Sequence, residues 1–118
     1  MTLMHNAAYA INTNIVFQGK SKWYLIQTIE SFNGQRFRTD YGTFVEWYSA
    51  NAFGGTNFSG TPVGAVSNTD EPGDGIGSWN DPAVLFGLWE AGKNFGACAW
   101  ISRRTGHYQA VGDPLIKH

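Results

Sequence analysis

The sequence predicts a small α/β domain: a mostly parallel sheet flanked by helices. Three observations carry that prediction. Short apolar runs recur at residues 23–29, 62–67 and 107–111, as strands buried on both faces require. Segments with helical spacing and recognisable start and stop residues lie between them, at 43–53, 82–91 and 94–104. The 118 residues contain no repeat, low-complexity tract or linker. A chain of this length buries roughly 65–70% of its unfolded surface, enough for one core and not for two. One soluble, globular domain over residues 1–118 is expected.

Each element has a local reason. Residues 1–20 are weakly patterned, with one β-like run, Ile15-Val16-Phe17. Trp23 to Ile29 is rich in β-branched and aromatic residues and reads as the first firm strand. Glu30 to Gly42 is a polar turn region. From Thr43 to Phe53, the residues Phe44, Trp47, Tyr48 and Ala52 fall at helical spacing, and Gly54-Gly55 ends the helix. After a loop at Asn57–Thr61, Pro62 to Ser67 reads as a second buried strand, followed by a Gly- and Asp-containing loop from Asn68 to Trp79. Asn80-Asp81-Pro82 is a helix start, a capping side chain followed by Pro in the first turn, and Gly92 is the matching stop. The next helix, Asn94 to Arg104, places Phe95, Cys98, Ala99 and Ile101 or Ser102 on one side, with two arginines and Gly106 at its end. His107 to Val111 is strand-like and stops at Gly112-Asp113-Pro114.

Composition narrows the function classes. Eight basic and nine acidic residues give a net charge of −1, which speaks against binding nucleic acid or an anionic membrane, since both need clustered cations. One Cys excludes an internal disulfide and a Cys-rich zinc site. No apolar run reaches 18 residues, so no membrane span is expected. Met1 to Asn6 lacks the charged and apolar regions of a signal peptide. Charged residues are 14% of the chain against a usual ~25%, and aromatics are 15%, the reverse of a disordered composition. So little charge leaves a lone small domain poorly protected in water. Three strands also leave two sheet edges with few charges to guard them. A homo-oligomer, or a complementary chain, is therefore the expected partner; no cofactor is expected.

Several residues are candidates for chemistry. Glu30-Ser31-Phe32-Asn33-Gly34 follows the first firm strand, at the strand end where α/β ligand sites gather. Ser31 there can serve as a nucleophile, with backbone donors at Asn33 and Gly34 as an oxyanion site. The plainer alternative is a turn in which Ser31 bonds its own backbone. Asp70, Glu71, Asp74, Asn80 and Asp81 make an oxygen-rich loop, but their spacing does not match an EF-hand, so a solvated loop is expected. His5, His107 and His118 share no metal-ligand spacing, and no metal site is expected. Cys98, on an apolar helical face, should be buried and inert. Of the five tryptophans only Trp79 lies in a clear loop, where a ligand could stack on it; core packing is expected for Trp23, Trp47, Trp89 and Trp100.

The second half of the chain carries a resemblance. Leu85 to Ala99, with its aromatic run and Gly92-Lys93-Asn94-Phe95-Gly96-Ala97, then His107 to Val111 and Gly112-Asp113-Pro114-Leu115, resembles the end of gingipain-like peptidase domains. Pro62 to Val66 is similar to the strand before that helix, and Glu30 to Gly34 falls where such domains carry Ala-Cys-x-Asn-Gly with the catalytic Cys. The resemblance spans roughly residues 23–116. It implies a caspase-like α/β sandwich and a Cys–His dyad that hydrolyses peptide bonds. Two departures weigh against that activity: Ser31 stands at the nucleophile position, and the chain contains no His-Gly pair. A Ser hydroxyl without an adjacent base is a poor nucleophile at neutral pH.

Three functions follow. The first is a non-catalytic, caspase-like half-domain acting as a binding or self-assembly module. The second is a hydrolase using Ser31, with His107, His5 or a partner chain's His as base. The third is a small-ligand or carbohydrate-binding domain using Trp79 and the long Gly-rich loops. Across these readings the expected ligand-binding residues are Asn33, Gly34, Trp79 and Asp113. The first is the expectation carried forward.

Overall fold

In the computed structural model the described residues are 23–28, 31–37, 44–50, 55–71 and 79–118. The predicted run Ile15–Phe17, His5, Asp74 and both ends of the predicted helix 43–53 lie outside them. The elements are β1 (Leu25–Gln27), α1 (Phe44–Trp47), a 3-10 turn (Thr56–Phe58), β2 (Gly64–Asn68), α2 (Pro82–Glu90), α3 (Phe95–Ser102) and β3 (Tyr108–Gly112). They form a small mixed α/β structure with strand order β1-β2-β3. Among the described residues, no helix is long and apolar enough to cross a membrane.

The sheet corrects one expectation: it is mixed, not mostly parallel. β1 pairs with β2 in parallel, Ile26 opposite Ala65. β2 pairs with β3 antiparallel, Val66 opposite Ala110. The helix pair is the cause. The Asp81 N–H at the start of α2 donates to the Ser102 carbonyl at the end of α3, at 2.9 Å. The two helices thus form a hairpin that returns the chain to the end of the sheet it left. A single crossover helix would have delivered a parallel strand; two deliver a reversed one.

The predicted start signals of α2 and α3 and the stop of α2 are present, whereas α3 ends at Ser102 with Arg103 as an extended C-cap, short of the predicted Arg104 and Gly106. Asp81 caps α2 by accepting from the Val84 N–H at 3.2 Å, with Pro82 in the first turn. Gly92, at φ +77°, stops it. Its N–H donates to Trp89 O and the Lys93 N–H to Leu88 O, the reciprocal pair of a Schellman motif. Asn94 caps α3 through the Ala97 N–H at 2.8 Å. The next two amide donors of α3, on Phe95 and Gly96, reach the Ile116 and Pro114 carbonyls of the C-terminal tail. No main-chain donor of that helix turn is left bare.

Alternation along the strands splits the core in two. Leu25 and Val66 pack with Leu85, Trp89, Phe95, Cys98 and Ala99 under α2 and α3. Ile26 and Ala65 pack with Phe44 and Trp47 of α1 on the opposite face. Helices therefore cover both faces of the sheet. On α3 the buried stripe is Phe95, Cys98, Ala99 and Ser102, and Ile101 is 60% exposed. Two tryptophans depart from the expected core role. Trp100 falls on the far side of α3 from that stripe, 67% exposed, with the Arg103 guanidinium 4.3 Å from its ring centre. Trp23 precedes β1 at the surface, and its indole N–H donates to the Lys117 carbonyl at 2.7 Å.

Candidate functional site

The carboxyl ends of β1 and β2 carry the polar interior of the molecule. The Thr28 N–H donates to Val66 O at 3.1 Å, and the Gly34 N–H then donates to Asn68 O at 2.8 Å. The chain leaves the edge of β2 after Thr28 and rejoins it at Gly34. Phe32 adopts φ +64°, a left-handed conformation that is uncommon for a non-glycine residue and marks the tightness of this turn. Position 34 is tight: a Cβ there would lie 3.0 Å from Asn68 O and 3.1 Å from Gln109 Cβ. Asn33 is buried and its carbonyl accepts from the Phe44 N–H, tying the turn to α1.

Below the turn lies a layer of buried, uncharged polar side chains: Gln27, Thr28, Ser67, Asn68, Asn80 and Ser102. The Thr28 and Ser67 hydroxyls share a hydrogen bond. Gln27 Nε2 donates to Asn80 O at 2.9 Å, Asn80 Nδ2 to Ser102 Oγ at 2.9 Å, and Ser102 Oγ to Cys98 O at 2.6 Å. Gln27 Oε1 and Asn80 Oδ1 accept no hydrogen bond, which makes them the costly members of the network. This layer, missed in the sequence, had a signal. Both β1 and β2 end in polar residues after an apolar start.

Five of the six predicted site residues gather at this end. Ser31, Asn33 and Gly34 form the turn, and half-buried Trp79 precedes Asn80. The His107 carbonyl accepts from the Thr69 N–H at 3.1 Å, one residue past Asn68. His107 itself is exposed, with Nδ1 3.7 Å from Asp70 Oδ2. Among the described residues no hydrogen bond joins Ser31 to His107. The sixth, Asp113, lies at the other end of the sheet because β3 runs backwards, with Gly112 opposite Gly64. Its Oδ1 accepts from the Leu115 N–H at 2.9 Å.

Cys98 is fully buried, burial pushes its thiol pKa up, and it points at the Lys93 carbonyl. Among the described residues no three His, Cys, Asp or Glu side chains converge as a metal site would need. Set against known protein families, curated proteins and solved structures, the chain matches none.

Proposed function

We propose that this chain is a non-catalytic assembly module, a caspase- or gingipain-like half-domain that completes its sheet by adding a strand to β3. The observation that supports this best is the state of the β3 edge. The Thr69–His107 bond sets the alternation of the antiparallel ladder: the His107 carbonyl and the main-chain groups of Gln109 and Val111 turn toward β2, while the His107 N–H donates to Thr105 Oγ1 at 3.1 Å. The N–H and C=O groups of Tyr108, Ala110 and Gly112 therefore face outward. Among the described residues no strand lies beyond them. Tyr108 to Gly112 contains no Pro and no charged side chain, the two devices that normally blunt an edge. Among the described residues no base is bonded to Ser31, and the sequence has no His-Gly pair; both support a module without catalysis.

Light scattering coupled to size exclusion tests the reading at micromolar concentration. Wild type is expected to run as more than one chain per particle. Ala110→Pro removes one outward N–H and spares the inner ladder, so it should return the mass to one chain with an unchanged circular dichroism spectrum. A wild type of one chain per particle, or a folded Ala110→Pro that stays associated, ends the proposal.

A further inference from the structure

Resting on that reading, we infer that the occupant of the β3 edge is a second copy of this chain, paired antiparallel about a two-fold axis through Ala110 and clasped at each end by His107 against the partner's Asp113. Three features of the edge point to this register. First, the outward row is Tyr108, Ala110 and Gly112. A two-fold at Ala110 lets all three make bonded pairs, Tyr108 with Gly112 and Ala110 with itself. A two-fold at Gln109 or Val111 leaves one of the three unpaired. Second, the residue opposite the bulky Tyr108 is a glycine, with no side chain to collide with it. Third, the same register sets His107 opposite Asp113, one step beyond either end of the strand, so an imidazole meets a carboxylate twice.

The side chains are suited to that contact. His107 and Asp113 are both exposed. Asp113 Oδ1 is taken by the Leu115 N–H, and among the described residues Oδ2 remains for the imidazole. The carboxylates that face His107 are then Asp70 of its own chain, 3.7 Å away, and the partner's Asp113. Opposite charges at both ends favour this register over a slipped one, in which His107 would meet uncharged residues.

Single-cysteine variants read the register. Bonded antiparallel pairs have Cα atoms about 5.5 Å apart, within disulfide reach. The one native thiol, Cys98, is buried. Under mild oxidation Ala110→Cys should form a covalent dimer alone. Gln109→Cys and Val111→Cys should each fail alone and succeed when mixed. Asp113→Asn keeps the acceptor for the Leu115 N–H and removes the charge. At low salt and mildly acidic pH it should weaken the dimer about fivefold, an effect that high salt erases. Cross-linking of Gln109→Cys or Val111→Cys with itself, or an indifferent Asp113→Asn, overturns this register while leaving edge assembly standing. A wild type that is monomeric by light scattering overturns the assembly reading itself.

Discussion

β2 and β3 are neighbours of equal length, yet they are held in opposite ways. Every residue of β2 is buried, it has a strand on each side, and helices cover both its faces. No residue of β3 is buried. Besides its ladder to β2, β3 is held by a small set of point contacts. Gly112 packs against Gly64 and the Phe95 ring. The Tyr108 hydroxyl donates to Ala99 O of α3 at 2.9 Å, and the Tyr48 hydroxyl, beside α1, donates to Val111 O at 3.1 Å. A strand can thus be anchored to both helical layers and still present, among the described residues, a row of main-chain groups that no other strand covers. The contacts that hold the strand and the main-chain groups on its outer edge involve different atoms of the same strand.

The largest effect should come from the point where β3 is locked. At Gly112, φ is +147°, and a Cβ would stand 2.6 Å from Val63 O and 2.9 Å from the Phe95 ring. Backbone strain and overpacking together should cost Gly112→Ala about 3–5 kcal/mol, read as a lower urea midpoint. Its register partner on β2 should suffer less. An added Cβ at Gly64 meets the Phe95 ring at 2.7 Å and Leu25 Cδ2 at 2.8 Å. Those are side chains that shift more readily than a main-chain carbonyl, so Gly64→Ala should cost about 1–3 kcal/mol. Equal losses in the two variants would mean that β3 is locked no more tightly than β2.

The tyrosine anchors give an intermediate effect and a pH signature. Burial pushes the Tyr108 phenol far above its ordinary value of 10.0, and burial together with the Tyr24 phenolate does the same to Tyr48. Tyr24, which bonds the Gly60 carbonyl, is pushed up to about 12 by burial. The unfolded chain loses these protons first. The stabilisation is therefore complete below about pH 10 and falls as pH climbs through the folded-state values. Unfolding monitored at rising pH should show stability declining above pH 10. Tyr48→Phe and Tyr108→Phe should each cost about 1 kcal/mol at neutral pH and flatten that decline; an unchanged alkaline slope would remove these phenols from the account.

The same contrast explains what could be read in advance. α2 and α3 were legible because their signals are local: Asp81-Pro82, Gly92 and Asn94 act on their own backbone. The direction of β3 was not, since it depends on α2 and α3 folding back on each other, and pattern along the chain does not show that. That one reversal carried Asp113 away from Ser31, Asn33, Gly34, Trp79 and His107. The buried polar layer was hidden for a similar reason. Gln27 and Asn80 look like ordinary ends of a strand and a loop, and only the hairpin brings Ser102 beneath them. Trp100 shows the limit of composition, because its place off the Phe95–Ser102 stripe, and not its size, decides its exposure.

The smallest expected effect on folding bears most directly on function. Ala110 is exposed, its main-chain groups face outward, and its side chain belongs to neither core cluster. A lysine there adds a long cationic chain beside the open edge, the kind of residue that edge strands normally carry against unwanted pairing. It should alter the stability of the isolated fold by no more than about 0.5 kcal/mol, as surface substitutions generally do. In a dimer centred on Ala110 the two lysines would lie directly opposite each other, like charge against like, which is destabilising across a strand pair. Ala110→Lys should therefore weaken association while its urea midpoint, measured at concentrations where wild type has dissociated, stays put. A variant that unfolds more easily under those conditions would place Ala110 in the structural core of β3, and would merge the two roles that the strand otherwise keeps apart.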